Sequence, residues 1–214
     1  MNLKACFFFA ALFVSCLTDE LTPEECEPLI KPLTMAIDAK MHGKVHFLLG
    51  YADQEDYKII MNLTDSYWGN VTVSPTNHNE LLITQMDKIN GTCLFSKMKL
   101  KFEGSTASAA LPNMTLDYQF LPTCDGCMLA LVNSSAKNLR KFLADMELKH
   151  TTDADEIYGR AFYLMANETI VKDSVLKQFK KQAHCLGFTG EPDFHYNPEK
   201  SFCKEGEGIT LPDF

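Results

Sequence analysis

Through the middle of the chain, apolar positions recur every second residue in short runs broken by turn residues. Eight runs have this character: Lys44–Tyr51, Ser66–Ser74, Glu80–Ile89, Thr92–Phe102, Thr106–Leu111, Thr115–Leu121, Cys127–Asn133 and Tyr158–Met165. Between them fall residues 75–79 (PTNHN), Asn90-Gly91, Gly104, Pro112-Asn113 and Asp125-Gly126. Short alternating runs at spacings of about ten residues predict a meandering antiparallel sandwich or barrel. A barrel removes its own sheet edges. Alternation also places side chains: Tyr118 and Phe120 share one face of their strand, Tyr163 and Met165 one face of theirs, and Asp117 opposes Tyr118.

Two stretches switch to helical spacing. From Asn138 to Asp155, Leu139, Phe142, Leu143 and Met146 recur three or four apart. This predicts a helix inserted before the last strand; a long twisted hairpin is the alternative. Later, Val175, Leu176, Phe179, Ala183 and Leu186 define one face of a helix capped by Asp173 or Ser174. Lys177, Lys180 and Lys181 occupy its other, solvated face. Leu33–Met41 reads as a short helical turn, and residues 205–214 carry no pattern, which predicts a flexible tail.

The N-terminus adds a compartment. Lys4, the apolar run Cys6–Val14 and the polar Thr18, Asp19 and Glu20 follow the order of a cleavable signal peptide. Residues 1–16 are therefore read as leader, ending within about three residues of Cys16, and residues 17–204 as one secreted domain. The run is too short to span a bilayer, and no later run is long enough either. A net charge of −8 argues against nucleic acid and anionic membranes as partners.

A secreted setting gives meaning to two further patterns. The acceptor tripeptide N-x-S/T occurs at Asn62, Asn70, Asn90, Asn113, Asn133 and Asn167, a density hard to assign to chance. Asn70 fits least well, because it falls within a predicted strand beside Trp68. Six cysteines follow the leader: Cys26, Cys93, Cys124, Cys127, Cys185 and Cys203. An even count in an oxidising compartment predicts three disulfides. Asp125-Gly126 is a preferred hairpin turn, and residues flanking such a turn lie about 5.5 Å apart, within reach of a disulfide. Cys124 is accordingly paired with Cys127. A zinc half-site would need a second ligand pair, and a thioredoxin-like motif would have to open a helix.

Catalytic signatures are missing from the sequence. Gly-x-Ser-x-Gly, His-Glu-x-x-His and the phosphate loop do not occur. His42 and His46 fall about 13 Å apart along a strand, too far to share a metal. No enzyme, metal or cofactor is expected.

The residues also resemble a family. HGKVHFLLGYADQEDY (42–57), NGTC (90–93), CMLALVN (127–133), AFYLMANETIVKDSVLKQFKKQAHCLGF (161–188) and EPDFHYNPEKSFC (191–203) are similar to lipocalins. The likeness is to the orosomucoid and apolipoprotein M group, and above all to the fish plasma proteins that bind tributyltin or saxitoxin and tetrodotoxin. The resemblance implies an all-β fold, an eight-stranded antiparallel barrel with one C-terminal helix, and disulfides Cys26–Cys185 and Cys93–Cys203. It implies a secreted, monomeric plasma carrier of a small lipophilic ligand: a xenobiotic, toxin, lipid or steroid. The alternative is an acute-phase or immunomodulatory glycoprotein acting through its surface and glycans. Tyr118, Phe120, Tyr163 and Met165 are the expected ligand contacts. A cationic ligand, such as a guanidinium toxin or organotin, would draw acidic help from Asp53, Glu55 and Asp56 in the loop after the first strand. Two family features are replaced: Gly43-Lys44-Val45 stands where Gly-x-Trp is usual, and Ala166 or Asn167 where an arginine is usual.

Overall fold

The computed structural model describes residues 21–34, 42–111, 113–138 and 156–211. The leader and residues 139–155 of the insertion predicted at 138–155 lie outside them, as do residues 35–41 of the predicted helical turn; Leu33 and Thr34 carry no regular structure.

Eight long strands form the barrel: β1 (Gly43–Ala52), β2 (Thr64–Val73), β3 (Glu80–Ile89), β4 (Thr92–Glu103), β5 (Thr106–Leu111), β6 (Met114–Leu121), β7 (Cys127–Lys137) and β8 (Glu156–Ala166). Each pairs antiparallel with its chain neighbour, and β8 returns to β1 to close the cylinder. Between β4 and β5 the closure is short, with only Lys101–Glu103 facing Thr106–Ser108. The predicted eight-stranded barrel is therefore present.

Helix α1 (Pro23–Ile30) begins at a capping box in which Thr22 and Glu25 satisfy each other's backbone N–H groups. Helix α2 (Glu55–Leu63) occupies the segment read as a loop. Its cap is Gln54, whose side chain accepts from the backbone N–H groups of Asp56 and Tyr57, and Glu55 and Asp56 suit the positive end of its dipole. Tyr57 lies flat on β8 because position 159 is glycine: a Cβ there would stand 2.5 Å from the Tyr57 ring.

Helix α3 (Asp173–Cys185) has Lys172 at its N-cap with no side-chain hydrogen bond, so neither Asp173 nor Ser174 caps it. Its apolar face packs on the outside of β1 and β8: Phe179 stacks on Phe162 at 4.8 Å and on Tyr51 at 5.5 Å. This explains why β1 is apolar on both faces: one looks into the barrel and the other lies beneath α3 and the short strand β9 (Phe194–His195). The exposed-face Lys180 reaches Glu191 at 2.6 Å.

Three disulfides tie the periphery to the barrel: Cys26–Cys185, Cys93–Cys203 and Cys124–Cys127, with Cα separations of 5.4, 5.9 and 5.2 Å. Of the tail expected at 205–214, the described residues 205–211 are not patternless. Ile209–Thr210 form β10, parallel to Leu94–Phe95 of β4, and Leu211 is buried.

At the barrel base, the two replaced family positions are covered differently. Val45 is buried inside the barrel. Trp68 lies outside, its Nε1 donating to the Cys203 carbonyl at 2.8 Å while Lys44 sits 4.4 Å above its ring. His46, opposite Trp68 in the β1–β2 ladder, contacts the Asn167 carbonyl through Nδ1 at 3.2 Å.

Candidate binding cavity

Inward-facing side chains enclose two adjoining compartments. The inner one, about 230 Å³, is walled by Val45, Val71, Leu81, Ile83, Leu100 and Phe120. The outer one, about 250 Å³, is bounded by Leu94, Ser96, Leu111, Met114, Leu116 and Tyr57. Gln85, Asp87, Met98, Tyr118 and Tyr163 line both, so they form the junction.

All four residues expected to face a ligand line the inner compartment: Tyr118, Phe120, Tyr163 and Met165. Strand alternation places them there. Tyr118 and Phe120 stack at 6.2 Å, Phe102 backs Phe120 at 5.8 Å, and Tyr163 meets Phe47 edge-on at 5.2 Å. The Tyr118 hydroxyl donates to Met98 Sδ at 3.8 Å. Asp117 is exposed, as alternation requires.

The acidic group of the cavity is not at the rim. Asp53 is bound to Arg160, accepting from its backbone N–H at 2.7 Å and from Nε at 2.8 Å. Glu55 and Asp56 belong to the first turn of α2, where Glu55 pairs with Lys58 at 3.8 Å and Asp56 accepts from Gln54 at 3.2 Å. The cavity carboxyl is Asp87 on β3. Leu81, Ile83, Gln85, Asp87 and Ile89 share one face of that strand and all line the inner compartment. The alternation L-I-Q-D-I was readable, but two consecutive polar members suggest an outward face, and so the position was missed.

Burial pushes the Asp87 carboxyl up to about 7. The Tyr118 and Tyr163 hydroxyls are raised by burial, and Tyr67 is raised by burial first and then by the charge of Asp87. The junction thus combines one acid of shifted titration with two phenols that stay protonated, and Tyr67 adds a third in the inner compartment. Removing a carboxylate from water disfavours its charged form; a cation placed beside it reverses that preference.

The outer compartment has a polar feature of its own. Tyr57 Oη is buried and has no hydrogen-bond partner among the described residues. Nearby, Ser134 already donates to the Gly159 carbonyl at 3.0 Å.

The asparagines of the six acceptor tripeptides lie on the surface to different extents. Asn62, Asn70, Asn90, Asn133 and Asn167 are exposed, Asn70 included despite its place in β2, while Asn113 is half-buried in the β5–β6 turn. The grouping of potential metal ligands among the described residues, Cys93, Cys203 and Glu207, contains two sulfurs already joined to each other, so no thiolate remains there for a metal. Among the described residues no helix is long and apolar enough to cross a membrane.

Compared with protein-family models and with curated proteins, the sequence matches none. Solved structures do match. The siderocalin Ex-FABP superposes with a TM-score of 0.54 at 11% identity, covering 74% of this chain and 95% of that one. Lipocalin 12 from rat epididymis gives 0.54 at 11%, covering 78% and 91%. The bovine lipocalin allergen Bos d 2 gives 0.51 at 17%, covering 71% and 89%. The fold is therefore that of a lipocalin: a closed eight-stranded antiparallel barrel flanked by a C-terminal helix.

Proposed function

We propose that this chain is a secreted carrier that holds a small, largely apolar ligand inside its barrel. The observation behind this reading is the two-compartment cavity, whose walls are mostly aliphatic and aromatic with a few polar groups gathered at one level. Affinity in such a site comes from apolar burial, and the polar groups fix orientation. Among the superposed folds, Ex-FABP is described as having dual ligand specificities, and another match is the odorant-binding protein OBP1. The sequence blocks point more narrowly, to the orosomucoid group and the fish toxin- and tributyltin-binding plasma proteins, and so to plasma as the compartment. Tyr118, Phe120, Tyr163 and Met165 are the proposed ligand contacts, with Asp87 added from the geometry.

Asp87 alters the ranking of ligands. A wholly apolar cavity favours neutral lipids or steroids; a carboxyl among phenols also accommodates a guanidinium or an organotin cation. Displacement of a neutral apolar dye tests the carrier reading. One-site competition by a sterol or by a guanidinium toxin supports it, and absence of dye uptake overturns it. Toxin binding that weakens strongly in Asp87→Asn, with sterol binding unchanged, selects the cationic class.

A second reading rests on the exposed asparagines: a surface glycoprotein whose glycans meet its partners. Enzymatic deglycosylation should collapse a heavy, heterogeneous band in steps. Partner binding that is lost with the glycans but indifferent to a filled cavity would favour this reading.

A further inference from the structure

The barrel wall has a gap. β4 and β5 pair only at Lys101–Glu103 and Thr106–Ser108 and then diverge. Behind the divergence lies the outer compartment, with Leu94, Ser96 and Met98 of β4 on one side and Leu111, Met114 and Leu116 on the other. Along this stretch β4 is an edge strand, and an edge needs cover.

Cover comes from the far end of the chain. Cys203 is bonded to Cys93 near the start of β4. From this anchor the segment turns through Lys204 and Glu207, whose carboxylate accepts from the Lys204 backbone N–H at 2.7 Å. Gly208 then crosses the Cys93 backbone so closely that a Cβ would stand 2.0 Å from the Cys93 carbonyl oxygen. Ile209 and Thr210 pair with Leu94 and Phe95, the Leu211 N–H donates to the Phe95 carbonyl at 2.8 Å, and the Leu211 side chain lines the outer compartment.

The cover is held unevenly. One end is covalent; the other is a two-residue parallel ladder and one buried leucine. Residues 204–208 are exposed, and so is Thr210. Segments with few buried apolar contacts open locally at free energies far below that of global unfolding. The barrel strands behind it are full-length antiparallel partners and lack this weakness.

We propose that residues 204–211 form a hinged strap over a lateral portal, and that the outer compartment is the entry chamber of the carrier. Leu211 closes the gap when the ladder is formed; when the ladder opens, a small apolar ligand passes between β4 and β5–β6, then moves past Asp87, Tyr118 and Tyr163 to the inner compartment. This rests on the carrier reading, but its first test does not.

That test is native-state hydrogen exchange on the full chain without ligand. The Leu211 amide should exchange at least about tenfold faster than amides of the β2–β3 ladder, through an opening that leaves Cys93–Cys203 intact. Equal protection of the two overturns the gate. The second test is stopped-flow uptake of N-phenyl-1-naphthylamine, a neutral apolar dye. Leu211→Ala, and a chain ending at Gly208, should raise association and dissociation rates together by about fivefold or more, with Kd changing by less than either rate. Unchanged rates overturn the portal, as does acceleration confined to substitutions in α2 such as Ile60→Ala. Failure of the wild-type protein to take up dye counts against the carrier reading, and the exchange result then decides the strap by itself.

Discussion

Tyr67 stands directly opposite Asp87 in the β2–β3 ladder, yet its hydroxyl donates to Gln85 Oε1 at 3.3 Å and not to the Asp87 carboxyl. That phenol is thereby committed elsewhere, and no hydrogen bond from the described residues reaches the Asp87 carboxyl. A buried carboxyl in this position titrates at about 7 instead of 3.8, because burial disfavours its charge.

The sign of the pH dependence follows. Between the unfolded and folded values, the folded protein holds a proton that the unfolded chain has lost. Asp87 therefore contributes most stability below pH ~4, and that contribution is lost as pH rises to about 7. Urea unfolding at pH 5 and pH 8 should show wild type losing stability relative to Asp87→Asn across this interval. A relative gain would contradict the assignment. For a cationic ligand the order reverses: binding needs the carboxylate, so affinity should rise as pH passes through about 7 and then level off.

Gln182 offers a test of the outer packing. Its side-chain amide is buried on α3 and donates to the Leu29 carbonyl at 2.7 Å and the Pro122 carbonyl at 2.8 Å, joining α1 to the β6–β7 connection. Gln182→Leu keeps the bulk but leaves two carbonyls without a donor, at a cost of about 1–3 kcal/mol. Chemical denaturation reads the loss directly, while dye affinity should not move.

The disulfides should differ in weight. Cys26–Cys185 closes a separation of 159 residues and Cys124–Cys127 one of 3. In the chain-entropy picture their removal costs about 5 and about 2 kcal/mol respectively. Paired Cys→Ala substitutions, compared by urea midpoint, test the ranking; equal losses would mean that loop closure is not what these bonds supply.

Trp68 reports on the outside of the barrel, not on the cavity. It is the single tryptophan, and it is held by the Cys203 carbonyl. Its emission should stay constant while a transparent apolar ligand fills the barrel, and should shift when Cys93–Cys203 is replaced by alanines. Strong quenching on ligand binding, with no change in the alanine variant, would place the ligand elsewhere.

Much of this architecture could be read from the sequence because strand alternation is local. The eight strands, the inward faces of Tyr118, Phe120, Tyr163 and Met165, and the hairpin around Asp125-Gly126 all follow from a period of two. Helix α1 could also have been read: Thr22-Pro23-Glu24-Glu25 is a capping box with proline at the first helical position. Helix α2 was harder. Its cap is a glutamine, and its apolar positions Tyr57, Ile60 and Met61 make less than two turns of pattern. Asp87 was hidden for another reason: a polar residue that faces an internal cavity is indistinguishable, in one sequence, from one that faces water. The seat of Leu211 depends on pairing with a strand more than a hundred residues away, which no local signal reports.

The apolar residues beneath α3 are distinct from those that wall the cavity, and the distinction has an evolutionary consequence. Leu49, Phe162, Leu164, Phe179 and Phe188 hold α3 to the outer face, and none of them lines either compartment. Val45, Val71, Leu81, Ile83 and Phe120 pack inside. Inward positions of this second set can therefore drift, one methyl or one hydroxyl at a time, without touching the residues that hold α3. A lineage built on this plan is free to reshape its cavity while its scaffold stands still.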